Sequence, residues 1–132
     1  MEEQVPVKKK ILIVEDDTFL SDMYQTKFLS AGYDVHIALD GEQCLAMLKD
    51  GLCPDVMLLD VVMPRMDGIE VLDAIKKDEL TKNIPVILLT NLGQENDIKR
   101  GMEMGAADYL VKAHYTPSEV EKKVEEIMKT GL

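Results

Sequence analysis

Hydrophobic residues follow two rhythms along this chain. Ile11-Leu12-Ile13-Val14, Val56-Met57-Leu58-Leu59, Val86-Ile87-Leu88-Leu89 and Tyr109-Leu110-Val111 are short apolar runs without alternation. Runs of this length, rich in Val, Ile and Leu, suit strands buried on both faces of a parallel sheet. Between them apolar residues recur at helical spacing. The spacing of Phe19, Leu20, Met23, Tyr24, Lys27 and Phe28 predicts a helix over about 18–31, ended by Gly32. Residues 33–38 alternate and read as an edge strand, broken by Asp40-Gly41. Leu45 and Leu48 mark a second helix ending near Gly51. Asp67-Gly68 opens a third helix with Ile69, Leu72 and Ile75 on one face. The fourth helix is weak: its apolar positions are Ile98, Met102 and Met104, and Gly101 and Gly105 loosen it. The fifth strand covers about 107–111. In the last helix Thr116 is the expected N-cap, Pro117 suits the first helical position and Glu119 completes a capping box, with Val120, Val124, Ile127 and Met128 facing the core.

Strands alternating with helices imply right-handed crossovers and helices on both faces of the sheet. The expected fold class is therefore α/β: a flavodoxin-like, doubly wound, five-stranded parallel sheet of (βα)5 type with strand order 2-1-3-4-5. Residues 1–9 read as a loose N-terminal lead-in and residues 10–132 as one domain, since this length fits one core.

The net charge of -10 argues against a free-standing nucleic-acid binder, because phosphate contacts require clustered Lys and Arg. Lys8-Lys9-Lys10 is the basic cluster and reads as a solvated strand entry. Cys44 and Cys53 make neither a disulfide framework nor a metal site and read as reduced thiols. No apolar stretch is long enough to span a bilayer, and the N-terminus lacks the apolar core of a signal peptide. The expected location is the cytoplasm.

Each apolar run stops at a polar residue: Glu15-Asp16-Asp17, Asp60, Thr90 and Lys112. In an open parallel sheet the strand C-termini share the edge where ligands bind. Adjacent carboxylates there repel one another unless a cation neutralises them, and Mg2+ accepts carboxylates while bridging to phosphate oxygens. Asp60 is the expected nucleophile, able to form an acyl phosphate. Lys112 and Thr90 are expected to bind the incoming oxygens. The competing reading of Glu15-Asp16-Asp17 is a cap for the first helix. His114, alone in a loop, lacks a second metal ligand near it in sequence, and His36 reads as a strand residue.

Asp60-Val61-Val62-Met63-Pro64-Arg65-Met66-Asp67-Gly68, taken with the earlier acids, Thr90 and Lys112, resembles the receiver domain of two-component response regulators, from about Ile11 to Met128. The resemblance implies a signalling phosphoacceptor rather than a turnover enzyme. Asp60 would be the phosphoacceptor, and Asp16, Asp17, Asp60 and the backbone carbonyl of Val62 would hold Mg2+, with Mn2+ as a substitute. Glu15 would lie just behind these ligands. Thr90 would be the switch hydroxyl, Tyr109 the aromatic whose rotamer follows it, and Lys112 the partner of the phosphoryl group. The donor would be a sensor histidine kinase or a histidine phosphotransfer protein, and the output an unknown downstream protein. No direct nucleic-acid or membrane contact is implied, and the chain would be a monomer, or a dimer when phosphorylated.

Three departures stand out. Ala113 follows Lys112 where the family has Pro in a cis peptide, so this loop takes either a cis bond or a different trans path. Asn91 follows Thr90 where small residues are common. Val62 and Leu92 are apolar beside the path of a hydrolytic water, which predicts a long-lived acyl phosphate. Only Lys129 to Leu132 follow the last helix, in line with a stand-alone receiver. The alternatives are a receiver fragment of a longer DNA-binding regulator, a phosphorylation-independent interaction module, and a metal-dependent phosphohydrolase. The last would want an acid at the position of Val62 for leaving-group protonation.

Overall fold

The computed structural model describes residues 8–130. Most of the expected lead-in (residues 1–7) and the final Gly131-Leu132 lie outside the described residues. The strands are β1 (Lys10–Val14), β2 (Asp34–Ala38), β3 (Val56–Asp60), β4 (Val86–Thr90) and β5 (Asp108–Val111). The helices are α1 (Thr18–Ser30), α2 (Gly41–Lys49), α3 (Gly68–Lys77), α4 (Glu95–Glu103) and α5 (Pro117–Lys129). All strand pairs are parallel, in the order β2-β1-β3-β4-β5.

The unalternating runs are buried on both sides, and successive residues feed opposite cores. Leu12, Val14, Met57, Leu59, Val86 and Leu88 pack under α2 and α3, against Cys44, Leu48, Val71, Leu72 and Ile75. Ile11, Ile13, Val56, Leu58, Ile87 and Leu89 pack under α1 and α5, against Tyr24, Phe28, Val120, Val124 and Ile127. Phe28 meets Tyr33 edge to face, with ring centroids 5.1 Å apart. Right-handed crossovers explain the division. The chain steps from β1 outward to β2, then reverses to β3, so α1 and α2 leave on opposite faces. The strand order reverses between β1 and β3, so their C-terminal ends form the switch point where such sheets bind ligands.

Helix α1 departs from the expected pattern. Tyr24 and Phe28 are buried, but Phe19 is 76% exposed and Met23 also faces outward. Residue spacing allowed one wide apolar face; packed on the sheet, α1 turns only the stripe carrying Ser21, Tyr24 and Phe28 fully inward. α5 has the expected capping box, with Thr116 N–H donating to Glu119 Oε1 at 2.9 Å and Glu119 N–H to Thr116 Oγ1 at 3.2 Å. α4 is the weakly anchored helix: Gly101 is its one buried residue. A Cβ at Gly101 would collide with Leu88 Cδ1, so the glycine lets the helix approach β4.

Among the described residues no peptide bond is cis. The Lys112-Ala113 segment takes the trans path, as a 3-10 turn over Lys112–His114. No helix of the described residues is long and apolar enough to cross a membrane.

Candidate functional site

The β1/β3 crevice gathers the charged strand ends. Asp60, the last residue of β3, is 1% exposed, and Glu15, the first residue after β1, is fully buried. Burying two carboxylates side by side is costly unless a cation compensates. Lys112 supplies one positive charge: its Nζ lies 2.8 Å from Glu15 Oε1 and 3.0 Å from Asp60 Oδ2. The same ammonium thus ties the ends of β1 and β3 to the turn after β5.

Electrostatics follow from this packing. Burial, and then the Asp60 carboxylate beside it, push the Glu15 carboxyl up to about 8, against the pull of Lys112. Burial alone would lower the Lys112 ammonium, but the hydrogen bond to Glu15 and the charges of Asp60 and Glu15 leave it raised. Glu15 Oε2 is buried without a hydrogen-bond partner among the described residues. A buried, unpartnered carboxylate oxygen marks a site short of positive charge.

Ligand oxygens of Glu15, Asp16 and Asp60 lie within 4.8 Å of one another. These oxygen donors fit a hard dication such as Mg2+. The fold therefore does not assemble the expected pair Asp16-Asp17. Asp17 caps α1 instead, its Oδ1 accepting from Leu20 N–H at 3.1 Å. Because α1 starts at Thr18, the residue before it must satisfy the free helix amides, and Glu15 takes the inward position. An Asp directly before a helical stretch was the available signal, and capping was one of the two readings it allowed.

Thr90, the last residue of β4, is fully buried, and its hydroxyl donates to the Leu110 carbonyl of β5 at 3.4 Å. Tyr109 is 40% exposed at the outer strand β5. Val62 and Leu92 are exposed apolar residues on the loops after β3 and β4. Asn91 is exposed, and its N–H donates to Gln94 Oε1 at 2.8 Å. His114 is exposed, and His36 lies within β2, its Nε2 3.3 Å from Asp34 Oδ1.

The loop after β3 turns back tightly. Val62 N–H donates to Asp60 Oδ1 at 3.3 Å, Met66 N–H to the Pro64 carbonyl at 2.8 Å and Gly68 N–H to the Val61 carbonyl at 2.8 Å. Gly68 is pressed against β3: a Cβ there would stand 2.7 Å from Val61 Cα and closer still to the Asp60 carbonyl oxygen. Only glycine permits this approach. Arg65, in the same loop, was not singled out by sequence reasoning; its backbone conformation and ion pairs emerge only in the folded chain.

Comparison with known proteins bears on this site. Residues 11–125 match the family described as response regulator receiver domain. The DNA-binding dual master transcriptional regulator RpaA of Synechocystis is 40% identical over 118 residues, covering 89% of this chain and 47% of RpaA. The chain spans about half the length of the curated relatives it matches. Among solved structures, the receiver domain of the Francisella response regulator 1452 superposes with a TM-score of 0.81 at 30% identity, covering 95% of this chain and all of that one. The chemotaxis response regulator CheY4 of Vibrio cholerae superposes with a TM-score of 0.83 at 30% identity, covering 92% of this chain and 99% of that one.

Proposed function

This chain belongs to the response regulator receiver family, and from that premise we propose that Asp60 accepts a phosphoryl group from the phosphohistidine of a sensor kinase or phosphotransfer protein. The observation that carries the reading is Lys112 Nζ bridging the buried carboxylates of Asp60 and Glu15 at the crevice between β1 and β3.

In the transfer an Asp60 carboxylate oxygen bonds to phosphorus as the donor's P–N bond breaks. The bonding pair leaves on the imidazole nitrogen. Lys112 exchanges its contact with Asp60 for one with a phosphoryl oxygen and remains anchored by Glu15. Glu15, Asp16, Asp60 and the Val62 carbonyl would hold Mg2+ (or Mn2+ in its place), which would supply charge neutralisation for the incoming oxygens. Asp17 has no ligand role in this proposal, since it caps α1.

Phosphorylation adds charge beside Thr90. The Thr90 hydroxyl leaves the Leu110 carbonyl for the phosphoryl group, Tyr109 turns into the space released, and the surface of α4, β5 and α5 changes for a downstream protein. The weak anchoring of α4 suits such a shift. The protein is a switch rather than a turnover enzyme: at Val62 there is no acid to protonate a leaving group. Its compartment is the cytoplasm, where kinase and target would meet it.

A second output is favoured by one observation. The alignment with RpaA ends at about half of that regulator, so this receiver can also govern an attached DNA-binding segment.

The test is intact mass after incubation with acetyl phosphate, with and without Mg2+, for the wild type and Asp60→Asn. A Mg2+-dependent gain of one phosphoryl group, absent in the variant, is expected. No gain in the wild type would leave a phosphorylation-independent interaction module.

A further inference from the structure

Arg65 has φ +66, the one non-glycine residue with positive φ among those described. The left-handed region is unfavourable for a residue with a Cβ and persists only where surrounding contacts hold it. Here the Met66 N–H to Pro64 carbonyl bond closes a tight turn over Arg65, and its side chain adds two ion pairs. Arg65 Nη2 lies 3.0 Å from Asp40 Oδ2, and Arg65 Nε lies 3.6 Å from Glu42 Oε1. The two acids sit at the start of α2, Asp40 as its N-cap and Glu42 in its first turn.

Asp40 has a double duty. Its Oδ1 accepts from Gln43 N–H at 2.7 Å and caps α2, while its Oδ2 receives Arg65. One carboxylate therefore joins the N-terminus of α2 to the loop after β3. That loop runs from Asp60 through Val62 to Gly68. Within it Met63 and Met66 rest on the α2/α3 core and Gly68 is pinned to Val61. Arg65 adds a polar tie to the capped end of a helix.

We propose that Arg65 is a positioning residue: its clamp on Asp40 and Glu42 holds the loop after β3 in the conformation that aims the Val62 carbonyl at the divalent cation. The inference rests on the reading of Asp60, Asp16, Glu15 and Val62 as the metal site. Arg65 itself touches neither metal nor phosphoryl group. Without the clamp the loop samples other conformations, and only the fraction with Val62 correctly aimed binds the cation at full strength. Lysine cannot replace the fork, because a point charge does not span two carboxylates in fixed geometry.

The experiment measures Mg2+ affinity by calorimetry, and the Mg2+ concentration giving half-maximal phosphorylation by acetyl phosphate, for wild type, Arg65→Gly, Arg65→Ala and Arg65→Lys. Urea midpoints are taken on the same samples. Arg65→Gly removes the clamp and also the positive-φ penalty, so stability stays near wild type while Mg2+ binding weakens about threefold to tenfold, as expected for loss of an exposed two-carboxylate clamp. Arg65→Ala loses stability as well, and Arg65→Lys recovers only part of the affinity. High salt weakens Mg2+ binding more in the wild type than in Arg65→Gly. Acetyl phosphate dependence at saturating Mg2+ stays unchanged in all variants, which separates loop aiming from damage to Asp60. Wild-type Mg2+ affinity in Arg65→Gly, or affinity that simply tracks stability across the set, would overturn the clamp's role. A wild type that binds no Mg2+ would overturn the metal site and the clamp together.

Discussion

Gly68→Ala tests how closely the third helix must approach the phosphoacceptor strand. The added Cβ would stand 2.7 Å from Val61 Cα and 3.0 Å from the Asp60 carbonyl carbon, and closer still to the carbonyl oxygen. All three neighbours are backbone at the end of a strand paired on both sides, so none can rotate away. Overpacking of this kind costs roughly 1–3 kcal/mol, and rigid neighbours place this site at the upper end. The gain in helix propensity from Gly to Ala, up to about 1 kcal/mol in a helix interior, is smaller at a first helical position. A net loss of about 2 kcal/mol corresponds to a fall in Tm of roughly 6–10 °C for a domain of this size. The relief must come from moving α3 or the end of β3, and the latter carries Asp60. Phosphorylation by acetyl phosphate should therefore slow at least about tenfold, given the sensitivity of group transfer to sub-ångström placement. Gly101→Ala is the control. Its Cβ would meet Leu88 Cδ1, the end of a side chain that can turn, and Ala favours the helix, so the net change stays within about 1 kcal/mol. Urea midpoints and intact-mass time courses decide. A Gly68→Ala protein as stable and reactive as wild type, or a Gly101→Ala protein more damaged than Gly68→Ala, would refute the argument.

Thr116→Ala removes the acceptor for Glu119 N–H and should cost about 1 kcal/mol, read as a lower urea midpoint; an unchanged midpoint would show that the capping box contributes nothing. The Glu15 carboxyl titrates near 8 in the folded protein against an ordinary 4.5, so between those values the native state holds more protons than the unfolded one. Metal-free protein should therefore lose stability as pH rises from about 4.5 to about 8, while Glu15→Gln is flatter and Mg2+ opposes the loss; a midpoint that rises with pH in EDTA would contradict the sign. Val62 and Leu92 place no polar side chain beside Asp60, so the acyl phosphate should be long-lived and Val62→Gln should shorten its half-life; rapid loss of the phosphoryl mass from purified wild type would refute this.

The strands, their order and the switch point were legible because they rest on local and additive causes. Four unalternating apolar runs demand burial on both faces, right-handed crossovers put helices on both sides, and five strands favour the order 2-1-3-4-5. The capping box at Thr116 was equally plain, since its partners are three residues apart. Asp60, Thr90 and Lys112 could be placed together from the sequence because strand ends align along one edge. Which of three consecutive acids enters the crevice was different. Glu15, Asp16 and Asp17 share one chemistry, and only the start of α1 at Thr18 decided that Asp17 caps a helix while Glu15 turns inward against Lys112. That Phe19 and Met23 face outward while Tyr24 and Phe28 are buried was likewise settled only by how α1 packs on the sheet. Arg65 was beyond sequence reasoning altogether. Its guanidinium meets Asp40, 25 residues earlier, and a contact of that range exists only once β2 and β3 flank β1.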